Sequence, residues 1–481
     1  MQTEVSSKQS IMKAFLKKIG GFSMGPIASA VMGLVLIPII TRFISPEEYG
    51  KASMFTLTQG LVAMILYMGM DQAYAREYAR NREKQQQLMA NAIALPMTLS
   101  LICGALLILL RDWVSVLLFG TADEPVAILL MAVMFPFMVL QHFALVKIRF
   151  EEKGLRYSFF TVMLKVWTLA LSVGLLLAFE RSFRSVVYAA ALAEILNGLL
   201  LYVVTFKDMR LRVGDLDKAQ LAGLLRFALP LIPTYILSWT LTSIDKVMLR
   251  SLCGYTDLGL YAAAWKIVAA VGIVQTSFTS FWLPVAFRWH EEKQPQAWFL
   301  LVMKLVAALM SCMCFGILMC KDLVAYVLGE GFGQAIAIFP FLLLYPIMYT
   351  MSETTSVGIA ISRRTEFNLI ITVLSSGANV ALNFLLIPMW GGIGAAVATG
   401  VSYVVLFWAR ALISRKLWWE FPVTHFVGYT GLVLINCAMH TFGQGFLPYL
   451  LSAASLVLVV LGNIPVAKSG MRLLRSMEHG A

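Results

Sequence analysis

FNLIITVLSSGANVALNFLLIPMWGGIGAAVATGVSYVVLFWARALI, residues 367–413, holds a single charged side chain, Arg410. A helix crosses the hydrocarbon of a bilayer in about 20 apolar residues. The stretch therefore holds two crossings, 367–388 and 392–413, joined by a very short turn. Counting outward by the same rule gives twelve more apolar runs. Before it lie 19–43, 52–72, 88–110, 124–146, 157–179, 184–206, 228–250, 259–283, 298–320 and 334–358; after it lie 422–441 and 447–467. The expected fold is an all-α polytopic membrane protein of about fourteen transmembrane helices.

The bulk composition agrees. Of 481 residues, 59% are hydrophobic and 13% charged, with a mean hydropathy of +0.79. Soluble domains run at about 25% charged, and one soluble core cannot hide so much apolar surface. The net charge of +12 does not point to nucleic acid, because Lys and Arg sit in short runs between apolar spans. There they set orientation and meet anionic lipid. With both termini cytoplasmic, the inside segments hold 27 Lys and Arg and the outside segments seven. An odd number of spans would scramble that bias. Lys8, Lys13, Lys17 and Lys18 precede the first run with no cleavage site after it, so that run reads as an uncleaved first helix.

The chain also repeats. TRFISPEEYG (41–50) is echoed by LRSLCGYTDLG (249–259), and RDWVSVLLFG (111–120) by KDLVAYVLG (321–329). Thr161-Val162 is echoed by Thr372-Val373, and every offset lies between 208 and 211. Six spans separate the copies, so the duplication relates two parallel halves. Such repeats typify transporters with a midplane site between the halves. The expected division is an N-lobe over 1–210, a C-lobe over 211–418, and two further helices with a tail over 419–481. The link 207–227 contains LDKAQLAGLLRFA and reads as an amphipathic helix lying on the membrane.

Ionisable groups within apolar spans are costly and are site candidates by default. They are Asp71, Lys165, Glu194, Asp245, Lys246, Lys266, Lys304 and Glu353, with Arg42 and Arg250 near the outer ends. Asp71 and Lys304 also suit snorkelling to the interface. Arg42 and Arg250 also suit interfacial anchoring. For Lys165, Glu194, Lys266 and Glu353 the alternative to a cavity role is an ion pair between helices. Asp245 and Lys246 are adjacent and so face different neighbours. Prolines 26, 38, 230, 233, 284, 340 and 346 mark bends, and GGIGAAVATG (391–400) suits close helix packing.

Other chemistry is missing from the sequence. The six cysteines all lie in or beside apolar runs and read as small buried hydrophobes. The five histidines show no metal spacing, and there is no GxxxxGK[ST] loop. GEGFG (329–333) follows a membrane helix rather than a strand and reads as an outer turn. No cofactor is expected.

ITRFISPEEYGKAS resembles the first signature of Wzx-type polysaccharide flippases, of the multidrug/oligosaccharidyl-lipid/polysaccharide (MOP) superfamily. SIDKVMLRSLCGYTDLGLYAAAWKI resembles their second-half motif through Asp245, Lys246, Gly259, Tyr261, Ala264 and Lys266. NVALNFLLIPMWGGIGAAVATGVSY is similar to their most recognisable segment through Asn379, Asn383, Pro388, Gly391, Gly394 and Ala395. The resemblance spans roughly residues 15–415. It implies two pseudo-symmetric six-helix lobes around a central cavity, plus two C-terminal helices that form a lateral groove for a polyprenyl tail.

The resemblance also implies a cargo: an oligosaccharide on undecaprenyl diphosphate, flipped across the bacterial inner membrane by alternating access for O-antigen, capsule or exopolysaccharide synthesis. On that reading Arg42, Lys165, Arg250, Lys266 and Lys246 attract the diphosphate. Asp71, Glu194, Asp245 and Glu353 pair with them or bind a coupling ion, H+ or Na+. The partners are membrane lipids and a polysaccharide polymerase, not nucleic acid. An ion-coupled drug or small-cation antiporter of the same superfamily stays open as an alternative. So does a polytopic polymerase or ligase, although no connection is long enough for an outer catalytic domain. The sugar is not specified.

Overall fold

The computed structural model describes residues 24–78, 84–205, 214, 216–364 and 366–478. Among them all regular structure is helical. Lys8, Lys13, Lys17, Lys18 and the start of the 207–227 link fall outside the described residues. The chain divides into two compact units, one up to Ile236 and one from Leu237 onward.

In the first unit, α1 is Met24–Phe43, α2 Pro46–Tyr67, α3 Met70–Tyr78, α4 Gln85–Leu109, α5 Arg111–Phe119, α6 Pro125–Phe150, α7 Gly154–Ala178, α8 Phe183–Thr205 and α9 Lys218–Ala228. Helices α4, α7 and α8 pack around α6. Helix α1 rests on α7, where the Gly25 amide donates to Ser158 Oγ at 2.8 Å. A side chain at Gly25 would collide with Ser158.

Helix α10, Ile232–Leu252, leads into the second unit. There follow α11 Tyr255–Glu291, α12 Gln296–Met319, α13 Lys321–Leu328, α14 Ala335–Leu342, α15 Leu344–Thr355, α16 Val357–Ile361, α17 Glu366–Leu417, α18 Thr424–Phe442 and α19 Leu447–Glu478. Helix α19 packs along α12, and α18 packs on both α12 and α14. The last two helices are thus integral to the second unit.

Among the described residues eleven helices are long and apolar enough to cross a membrane, and twelve if the bent pair α2–α3 is one span. Helix α17 contains a non-helical residue, Gly391, and is two helices. Counting it twice and adding α18 gives helices at all fourteen expected spans. This is a multi-pass membrane protein. The second span differs from a plain rod. Met68 and Gly69 adopt left-handed backbone angles, and the axis bends by 48° there.

The opening stretch folds as a hairpin. Gly391 has φ 55° and ψ −129°, which side-chain-bearing residues rarely adopt. Gly394 then lies so close to the Leu386 carbonyl that no Cβ fits. Gly400 packs as tightly on the Phe341 carbonyl of α14. The glycine run therefore supplies both a turn and close packing.

The sequence echoes become matching parts. Helices α5 and α13 each end on a glycine of positive φ, Gly120 (φ 82°) and Gly329 (φ 85°). Glu48, in the first turn of α2, accepts the Phe183 amide at the start of α8 at 2.6 Å. Asp257, in the first turn of α11, accepts the Gly392 amide at the start of the second half of α17 at 2.9 Å. Both members of this second pair lie 209 residues after those of the first. A carboxylate suits a helix start, because free amides and the positive dipole end meet there. The two six-helix lobes are pseudo-symmetric, and α18 and α19 stand outside the repeat.

Candidate functional site

Each unit holds a polar centre within its apolar helices. In the first, Glu194 of α8 accepts Gln59 Nε2 of α2 on one oxygen and Gln141 Nε2 of α6 on the other, each at 2.9 Å. Asn197, one turn on, donates to Gln141 Oε1 at 2.7 Å. Lys165 of α7 is half-buried and within electrostatic reach of Glu194. Beside this network, Asp71 follows the α2–α3 break and faces His142 Nε2 at 3.4 Å. The His142 ring stacks on Tyr67 at 3.9 Å.

In the second unit, Asp245 of α10 is 1% exposed. Its carboxylate accepts a hydrogen bond from the Tyr261 hydroxyl of α11 and one from Thr399 Oγ1 of α17 at 3.3 Å. Asn379 Nδ2 reaches Thr399 and Ser402, and Asn383 donates to Asn379. The hairpin at Gly391 brings these polar groups of its two arms together. A buried acid among amides and hydroxyls satisfies its hydrogen-bonding demand. It also offers oxygen ligands of the kind a hard cation takes. Among the described residues no three His, Cys, Asp or Glu side chains gather to hold a metal.

Lys246 turns away from Asp245. Its Nζ donates to the Thr242 carbonyl at 2.9 Å and lies 4.7 Å from the centre of the Trp265 ring. From Trp265 a run of rings continues: Tyr345 at 5.3 Å, stacked, then Tyr349 at 6.4 Å and Tyr403 at 4.7 Å, both measured from Tyr345. At its far end Arg410 sits 5.0 Å from the Tyr349 ring and bonds Glu353 at 2.7 Å. Trp265, Tyr345 and Tyr349 are half-buried, so their faces and edges stay partly open.

The candidates thus fall into groups. Glu194 lies near Lys165, and Asp245 next to Lys246. Glu353 forms an ion pair with Arg410 of α17. Arg250 stacks on Tyr255 at 4.2 Å in the α10–α11 turn. Arg42 is exposed at the end of α1, and Lys266 is exposed on α11. Sequence reasoning missed Gln59, Gln141, His142, Asn197 and Thr399, because single polar residues in apolar spans are too common to stand out. It also missed a buried knot between α18 and α19. There Asn436 joins Ser455 and Ser452, and Ser452 meets His440 Nε2, at 2.8–2.9 Å.

A family described as polysaccharide biosynthesis protein matches residues 15–290, more than half of the chain. The chain belongs to that family. No curated protein sequence matches it. Among solved structures it is similar to the lipid II flippase MurJ in an inward closed conformation. The identity is 16% and the TM-score 0.70, covering 94% of this chain and 99% of that one. It is also similar to an inward-facing multidrug resistance MATE family transporter of the MOP superfamily. There the identity is 17% and the TM-score 0.62, covering 80% and 94%. An outward-facing MATE structure follows at 19% identity and TM-score 0.55, covering 83% and 95%. This family member therefore has the MOP fold, and the resemblance of its motifs holds at that level.

Proposed function

We propose that the chain flips an oligosaccharide linked to undecaprenyl diphosphate from the cytoplasmic to the outer leaflet of a bacterial inner membrane, by alternating access. The observation that carries this reading is the strip Lys246–Trp265–Tyr345–Tyr349–Arg410. A saccharide ring has an apolar C–H face that suits an aromatic surface, and its hydroxyls need polar partners once out of water. The cations at the two ends suit phosphate. Membership in a polysaccharide biosynthesis family and the MOP fold support the same cargo class.

The physics of transfer is consistent. Each unsatisfied hydroxyl costs several kcal/mol in hydrocarbon, so a bare bilayer blocks the headgroup while welcoming the tail. A polar path removes that barrier. With the inside negative, moving one negative charge outward gains about 2.3 kcal/mol per 100 mV, so the diphosphate is driven outward. Lys165 and Lys246 are the assigned attractors, with Arg42, Arg250 and Lys266 at the margins. Glu194 is within electrostatic reach of Lys165, and Asp71, Glu194, Asp245 and Glu353 are the carboxylates we assign to a coupling H+ or Na+.

The test is reconstitution in liposomes with a lipid-linked oligosaccharide. Sugar appearing on the opposite leaflet, faster under an imposed potential, is the expected result. Trp265→Ala with Tyr345→Ala lowers the rate about tenfold, the loss of roughly 1.4 kcal/mol of aromatic contact. The MATE likeness favours one second reading, an ion-coupled antiporter of small cations. Dye–cation exchange without sugar transfer in the same liposomes would replace the first reading with it.

A further inference from the structure

Away from both polar centres, the first unit has a cavity of about 740 Å³ between the end of α3 and α9. Its size is that of a small-molecule site, and its lining is two-faced. Leu224, Phe227 and Leu231 give an apolar floor, and Arg76 and Arg226 give two guanidinium groups. Arg76 is held in place: its guanidinium lies 4.7 Å from the Phe227 ring and meets the neighbouring Glu77, also in the lining, at 3.7 Å. Half of its side chain stays exposed, and Arg226 is exposed too.

Helix α9 is itself fixed. Asp217 caps its start by accepting the Ala219 amide at 2.8 Å. Buried Asn91 of α4 donates to Gln220 at 2.8 Å and accepts the Asp217 amide at 3.0 Å. The cavity is therefore built by a helix that cannot drift away, buried on its Leu224 and Ala228 side and open on its Arg226 side.

We infer that this cavity binds the head of an anionic phospholipid, the phosphate between Arg76 and Arg226 and the glycerol–acyl end on the Leu224–Phe227–Leu231 floor. Guanidinium forks match phosphate oxygens in pairs. An apolar floor beside a cationic rim is what an interfacial helix offers a lipid whose net charge is negative. Helix α3 ends in, and α9 starts in, a connection that the Lys and Arg bias assigns to the cytoplasmic side, where anionic lipid is abundant. The inference does not rest on the cargo being a saccharide.

The experiment titrates purified protein with phosphatidylglycerol or phosphatidylcholine and counts retained lipids by native mass spectrometry. Wild type is expected to retain phosphatidylglycerol in preference to phosphatidylcholine. Arg76→Gln with Arg226→Gln weakens that retention about tenfold or more, since a hydrogen bond to a charged group contributes about 1.5 kcal/mol or more. Arg111→Gln, an exposed arginine on α5, leaves it unchanged. Both cavity arginines are exposed, so the double variant keeps its fold, checked by its melting temperature. Retention of phosphatidylglycerol by the double variant at the wild-type level would overturn the inference, as would equal binding of both lipids by wild type. Displacement by polyprenyl diphosphate at lower concentration than by phosphatidylglycerol itself would overturn the bilayer lipid as the source and assign the arginine pair to the carrier.

Discussion

Asp245 takes hydrogen bonds from two helices at once, from Tyr261 of α11 and Thr399 of α17. Removing the acceptor costs two hydrogen bonds to a charged group, about 1.5–3 kcal/mol each, partly offset because the Tyr261 and Thr399 hydroxyls lie 3.3 Å from each other. Asp245→Ala should therefore destabilise the protein by about 3 kcal/mol, and Asp245→Asn, which keeps one acceptor oxygen, by about 1 kcal/mol. Unfolding in detergent measures both. Asp245→Asn should also lose any dependence of transport on an imposed H+ or Na+ gradient, and an unchanged gradient response would remove Asp245 from the coupling role. The charged members of these centres were legible in the sequence because a charge in an apolar span is costly and has few bland explanations. Their amide partners were not, and neither was the pairing of Arg410 with Glu353. Position along a chain does not reveal which face of a helix a side chain shares with another span.

The elements show the same division. Fourteen spans were legible because span length is fixed by bilayer thickness. The α2–α3 bend was not, since it comes from two left-handed residues, Met68 and Gly69, of which only the glycine advertises such angles. Gly391 is testable at this scale. A methyl group there would strike the Asp257 carboxylate and force alanine into a left-handed conformation. Gly391→Ala should cost about 3 kcal/mol and lower the melting temperature, with Asp257→Ala costing about 1 kcal/mol through the lost cap.

The α6–α7 connection makes a pH prediction. Glu151 lies just beyond α6, with Lys147 and Lys153 each 2.8 Å away. Partial burial pushes its carboxyl up, but the two lysines outweigh this and hold it below the ordinary carboxylate range. A carboxyl lowered in the folded state contributes full stability above its unfolded pKa, about 4.3, and loses it as pH falls through the lower folded value. Wild type should therefore lose stability as pH falls from about 5 toward 3, and Glu151→Gln should lose less over that window. Melting curves across that range check the difference.

At the scale of the whole molecule, the repeat preserves a frame and varies its contents. Glu48–Phe183 and Asp257–Gly392 are equivalent caps at an offset of 209, yet Glu194 corresponds by the same offset to Tyr403. One unit is thus centred on an acid with amides, and the other on an acid with a run of rings. The echoes in sequence were short for this reason: turns, caps and a few helix positions repeat, and the polar centres do not. Orientation is testable with a native probe. Cys320 is exposed at the junction of α12 and α13, on the side the charge bias assigns outside. A membrane-impermeant maleimide applied to intact cells should label it, whereas Arg363→Cys in a Cys320→Ser background should label only after permeabilisation. The reverse pattern would invert the assigned topology.

The packing of α19 along α12 also sets a timetable for making the protein. About 130 residues separate the end of α12 from the start of α19, and a ribosome adds about 5–20 residues per second. For some 6–26 s of each round of synthesis, α12 faces lipid on the side where α19 belongs. Asn436 meets Ser452 and Ser455 only once α19 has followed α18 into the membrane. A ribosome stalled in that interval leaves α12 without the helix that packs along it.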